Sequence, residues 1–136
     1  MASRMGGERV LQWAALDERV DLAVVSGYLT DRMYWWFEHP GELTPEHAQK
    51  ALPAMFEMFD DRNYAALIHP RYLGVELGSG DPRSAHTLPV VADIRALYAA
   101  SGHGDHVEFL DFDGGHETSV GTVLPFVRRW LASLDD

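Results

Sequence analysis

The chain reads as an α/β protein built on a short parallel sheet of about three strands with flanking helices. Three observations predict it. Tyr72-Leu-Gly-Val-Glu-Leu77 and Val107-Glu-Phe-Leu-Asp-Phe112 are short, largely apolar runs that each break on glycine: Gly78-Ser-Gly-Asp81-Pro82 after the first and Asp113-Gly-Gly-His116 after the second. A helical pattern from Thr87 to Ser101 separates them, and strand–helix–strand implies parallel neighbours joined by a right-handed crossover. A third apolar run, Leu22 to Val25, follows another helical pattern in the same way. Composition allows one domain with a real core: 136 residues, 46% of them hydrophobic.

From the amino end, Gly6 to Leu16 carries Val10, Leu11, Ala14 and Ala15 on one helical face, suited to packing on a sheet. Asp17-Glu-Arg is a turn. Val20 to Val25 then reads as a strand covered on both faces, ended by Ser26-Gly27. Residues 28–61 form a variable segment: Leu29 to Phe37 is dense in aromatic side chains, and Thr44-Pro45-Glu46 opens a helix to about Met58, with Pro53 inside it. Asp60 to Ile68 is a short helix stopped by His69-Pro70. The helix from Thr87 has Pro89 in its first turn, an apolar stripe of Val91, Ile94, Leu97 and Tyr98, and Gly102 as its stop. The last helix, Val120 to Leu134, presents Val120, Val123, Leu124, Val127, Trp130, Leu131 and Leu134 as a face for the sheet, and Pro125 suggests that its regular part begins a turn late.

Parallel strands put both glycine breaks at the carboxyl end of the sheet, where open α/β sheets hold their ligands. Asp81 and His116 therefore fall on adjacent strand-end loops. An aspartate there can fix the imidazole tautomer and stabilise its protonated form. His86 competes for the same acid but lacks the paired glycines that free the His116 loop. His103 and His106 have metal-pair spacing without a third ligand nearby, so they read as turn residues. His69 suits a helix C-terminus.

Gly78-Ser-Gly-Asp81-Pro82 followed by Gly114-Gly-His116 resembles the acid and histidine turns of the α/β-hydrolase fold. Ala65-Ala-Leu-Ile-His-Pro-Arg71, and Ala15-Leu-Asp-Glu-Arg-Val20 leading into Val24-Val-Ser-Gly27, resemble the dienelactone-hydrolase and acetyl-xylan-esterase-like branch. The resemblance covers nearly the whole chain and the C-terminal half of that domain. It implies serine ester hydrolysis of a small-molecule ester, with His116 as general base and acid, Asp81 orienting it and a serine at a Gly-x-Ser-x-Gly elbow before the first helix. Ser3 is the candidate nucleophile. The elbow departs from the pattern: Met1 stands at the first glycine position, the spacing from Ser3 to Gly6 is one residue too long, and aligning Met5-Gly6-Gly7 instead puts Arg4 at the serine position. Ser26 and Ser79 are the next serines at strand ends. The resemblance implies no cofactor and no metal. It also implies that the 28–61 segment lies near the active-site mouth, with Tyr34, Trp35, Trp36, Phe37, Met55 and Met58 as walls; the same side chains also suit a second core or a dimer contact.

A formal net charge of −10 disfavours nucleic acid and anionic membranes as partners. The absence of cysteine excludes disulfides and fits a reducing cytoplasm. A strand at 20–25 without a pairing neighbour on its outer side is an association-prone edge, so a homo-oligomer is expected. The competing functional class is a catalytically inactive hydrolase half that serves binding or assembly.

Overall fold

The structure is a computed structural model that describes residues 4–31 and 59–135. Its elements are α1 (Arg4–Leu16), β1 (Leu22–Ser26), α2 (Asp61–Ile68), β2 (Tyr72–Gly78), α3 (Ser84–Ala100), β3 (Val107–Phe112) and α4 (Val120–Ser133), with a 3-10 turn at Gly104–His106. The sheet is parallel throughout in the order β1-β2-β3. The expected fold class holds, with helices on both faces. The helix at 44–58 and the aromatic walls lie outside the described residues.

Alternation along β2 divides the sheet. Leu73 and Val75 face a core closed by Leu11, Ala14 and Ala15 of α1, Ala65 and Ile68 of α2, and Val90, Val91, Ile94 and Tyr98 of α3. Gly74 and Glu76 face the other way, onto α4. Gly74 is a glycine for want of room: a Cβ there would stand 3.0 Å from both Leu110 Cδ1 and the Phe126 ring. Phe126 uses that space and is 1% exposed.

Local signals explain the boundaries. Asp60 caps α2 in a capping box with Asn63, and the fully buried Asp61 accepts from the Thr30 amide at 2.9 Å. The chain therefore leaves β1 and returns to α2 at one place. Arg71 fastens the amino ends of β1 and β2. Its guanidinium donates to the carbonyls of Asp17, Val20, Leu67 and Ile68 at 2.8–3.1 Å, a spread of acceptors suited to its planar fork.

Five expectations need correction. β1 begins at Leu22 rather than Val20, because the Val20 amide is spent on the turn, donating to Asp17 O at 3.1 Å. α3 begins at Ser84, so Pro89 lies in its second turn. On that helix Val90 is buried while Leu97 is 40% exposed, which rotates the buried stripe. α4 is helical from Val120 despite Pro125; the proline is its sixth residue and removes the one amide bond that would run back to Gly121. Its buried contact is Phe126, while Val120, Leu124, Leu131 and Leu134 point outward. No helix among the described residues is long and apolar enough to cross a membrane.

Candidate active site

Both glycine breaks lie at the carboxyl end of the sheet, and their backbones are laced together. Ser79 N–H donates to Phe112 O and Gly80 N–H to Gly114 O, each at 2.8 Å. Gly78 permits this approach, since a methyl built there would land on the carbonyl oxygens of Gly114 and Gly115. The lacing carries Asp81 and His116 together. His116 Nδ1 lies 2.7 Å from Asp81 Oδ2. With the carboxylate accepting, the proton sits on Nδ1 and Nε2 keeps its lone pair. Asp81 Oδ1 accepts from the Arg83 amide at 2.9 Å, so both oxygens are engaged in a residue only 2% exposed.

The imidazole rests on backbone. Gly27 has φ +58, and a Cβ on it would meet His116 Cε1 at 2.7 Å. Arg83 closes the other side: its Nη1 is 3.3 Å from Nδ1 and 3.4 Å from Nε2, and 3.4 Å from Gly27 O. The near-equal distances place the cation midway between the two ring nitrogens.

Burial pushes the Asp81 pKa up, but the Arg83 amide, the His116 hydrogen bond and the positive charges of both partners outweigh it and hold the carboxyl below its ordinary value. A depressed folded value adds stability above the unfolded pKa, near 3.9, and that stability is lost as pH falls through the folded value. The urea midpoint of the parent should therefore drop more steeply below about pH 4 than that of Asp81→Asn. Parallel curves would assign the acid sensitivity to other carboxylates.

The amino end of α1 reaches the same region. A Cβ on Gly7 would meet Tyr28 Cβ at 2.6 Å and Ser26 O at 2.9 Å, so the helix start lies against the residues beside Gly27. Ser3 lies outside the described residues, and of Arg4 only the helical backbone is described. Ser26 does not face the imidazole: its hydroxyl donates to Glu76 Oε2 at 2.5 Å on the α4 side of the sheet. Ser79 is exposed. His86 is not the imidazole on Asp81.

Three other histidines gather at the opposite, amino end of the sheet. His69 Nε2 is 2.5 Å from Ser101 Oγ, and His106 stacks on Tyr72 with its Nδ1–H on Pro70 O at 2.6 Å. Among the described residues no group of three His, Cys, Asp or Glu could hold a metal ion. Sequence reading missed Arg83 and the buried carboxylate of Glu76, 1% exposed. A lone acidic residue inside an apolar strand was the available signal for the latter.

No family model and no curated protein matches the chain. Among solved structures, it superposes on a carbohydrate esterase family 15 glucuronoyl esterase from Caldicellulosiruptor kristjansonii with a TM-score of 0.70 and 22% identity. The match covers 93% of this chain and 41% of that one. The chain therefore has the fold of part of an α/β-hydrolase and spans less than half the length of the esterase it resembles.

Proposed function

We propose that this chain is the acid–histidine half of a serine ester hydrolase, and that Asp81 and His116 are its base machinery. The observation that carries the reading is the 2.7 Å contact between His116 Nδ1 and Asp81 Oδ2, which leaves Nε2 as the proton acceptor. In the reaction, Nε2 takes the proton of a serine hydroxyl as its oxygen attacks the acyl carbon. The imidazolium gives that proton to the leaving alkoxide. Water then repeats the sequence on the acyl-enzyme, releasing the acid and restoring the serine. Ser3, one residue before α1, is our candidate nucleophile, supported by the packing of Gly7 beside the residues that carry the imidazole. The likeness to a glucuronoyl esterase supports ester chemistry, and the sequence motifs favour the dienelactone-hydrolase and acetyl-xylan-esterase-like branch. A small-molecule ester is the proposed substrate.

In the same reading, residues 28–61 are an insertion at the site mouth. Thr30 and Arg62 support it: Thr30 binds Asp61, and Arg62 Nη1 binds both Asp31 and Asp60, so the excursion starts and ends beside the carboxyl end of β1. A cytoplasmic location belongs to this proposal, on the strength of the cysteine-free composition.

Hydrolysis of a short-chain p-nitrophenyl ester by purified protein tests the function, run beside Ser3→Ala and His116→Ala. We expect weak turnover or none from this chain alone, because an incomplete elbow costs on the order of 10²–10⁴ in rate. Strong turnover abolished by both substitutions would make Ser3 the nucleophile of a competent enzyme. Loss with His116→Ala alone would move the nucleophile to another serine.

One observation favours the second reading, an assembly module. Among the described residues β1 pairs only with β2, so its outer edge carries open backbone donors and acceptors. Light scattering should then show a dimer or larger species. A monomer at high concentration would count against association.

A further inference from the structure

The mechanism above makes no use of Glu76, the buried carboxylate in the middle of the sheet. We propose that Glu76 is a positioning residue for His116, acting through the end of β1 and the turn that leads into α4; the proposal rests on the hydrolase reading of the Asp81–His116 pair.

Glu76 lies on the α4 face of β2, directly opposite Ser26 in the β1 register. Three donors converge on it. Ser26 Oγ donates to Oε2 at 2.5 Å, while the Ser119 amide and Thr122 Oγ1 donate to Oε1 at 2.8 and 3.0 Å. Ser119 is the residue before α4, and its own side chain makes no capping bond. The carboxylate takes over that task, and a negative charge at a helix amino end is favourable. Ser26 has one hydroxyl proton, and it goes to Glu76. The 2.8 Å contact between Ser26 Oγ and Thr118 Oγ1 is therefore a bond donated by Thr118.

Thr118 and Ser119 stand two and three residues after His116. The bonds of Glu76 thus fix the far end of the histidine turn, whose near end is laced to Ser79 and Gly80. Glu76 also fixes Ser26, the neighbour of the Gly27 on which the imidazole rests. Its Oε1 and Oε2 bonds therefore converge on one ring from two sides. A carboxylate meets the requirement because it accepts at both oxygens without offering a proton. Glutamine accepts at one oxygen and turns an NH₂ toward the remaining donors. Leucine leaves the Ser119 amide without its acceptor and frees both hydroxyls, Thr122 Oγ1 to donate only to Ser119 O and Ser26 Oγ to turn to Thr118 Oγ1.

The test is proton NMR of the histidine rings, with steady-state ester turnover as a second readout. The Nδ1–H of His116 is identified as the low-field ring proton absent from Asp81→Asn. In a folded Glu76→Leu protein that signal should be lost to solvent exchange, and any turnover should fall at least tenfold in kcat with KM little changed. Glu76→Gln should recover part of both. Thr118→Val cuts only the link nearest His116, keeps every bond to Glu76, and should weaken the signal in the same direction; it decides the matter if Glu76→Leu does not fold. A His116 signal unchanged in whichever of these two variants folds would overturn the proposal. A parent protein without the signal would remove the pair and the proposal together. A parent with the signal but no turnover is the result expected of this chain alone, and the positioning role is then decided on the ring proton.

Discussion

Asp81→Asn should lower kcat for any ester the protein hydrolyses by about 10⁴-fold with the fold intact, the size of effect expected when a histidine base is held in the wrong tautomer. Asp81 Oδ2 receives the Nδ1 proton at 2.7 Å. An amide nitrogen in its place offers a hydrogen instead, so Nδ1 must accept and the ring proton moves to Nε2. The nitrogen that should take the serine proton is then already occupied. Asparagine Oδ1 can still accept from the Arg83 amide, so the turn at residues 81–83 should survive and unfolding should remain cooperative. Equal kcat in parent and variant would show that any observed turnover does not pass through His116.

Phe126→Ala should cost about 3–5 kcal/mol, the range for removing a buried aromatic ring, against a total of roughly 5–15 kcal/mol for a domain. Phe126 is the buried residue of α4, and its ring occupies the space left open by Gly74 beside Leu110. Removing it leaves a cavity floored by glycine backbone, which has no side chain to move in. The urea midpoint should fall with little change in slope. A cost below about 1 kcal/mol would mean that α4 is held chiefly by its polar bonds to Glu76 and by the Arg129–Glu108 ion pair.

Much of this architecture was legible in the sequence because its signals are local. β3 runs from Val107 to Phe112 as read, bounded by a turn on one side and glycines on the other. The pairing of Asp81 with His116 followed from topology alone, since parallel strands deliver successive strand-end loops to one place. What the sequence hid depends on distant partners. The sheet-facing side of α4 could not be read from its own pattern, because the apolar arc extends past the buried face to the exposed Val120, Leu124 and Leu131. The facing side is chosen by the vacancy at Gly74, on another element. On α3 the stripe read from the sequence included Leu97, which is exposed, and left out Val90, which is buried; the helix also starts three residues earlier than read. Glu76 looked like an isolated charge in a strand. Its partners Ser26, Ser119 and Thr122 lie 50, 43 and 46 residues away, and no periodicity connects them.

The crossover from β2 through α3 to β3 also bears on the order in which the molecule folds. Asp81 and His116 are 35 residues apart, and both stand on this one unit. Closing a loop of that size costs only slightly more than closing a shorter one, because the entropy grows with the logarithm of length. The β2–β3 pairing needs no contribution from α1 or β1, so acid and imidazole can meet early, while the amino-terminal third of the chain is still unstructured. The ring then acquires its footing on Gly27 and its tie through Ser26 only when β1 docks. On that order the pair would be assembled by a short piece of chain and tuned by a later one. Amides of β2 and β3 should exchange with solvent more slowly than those of β1.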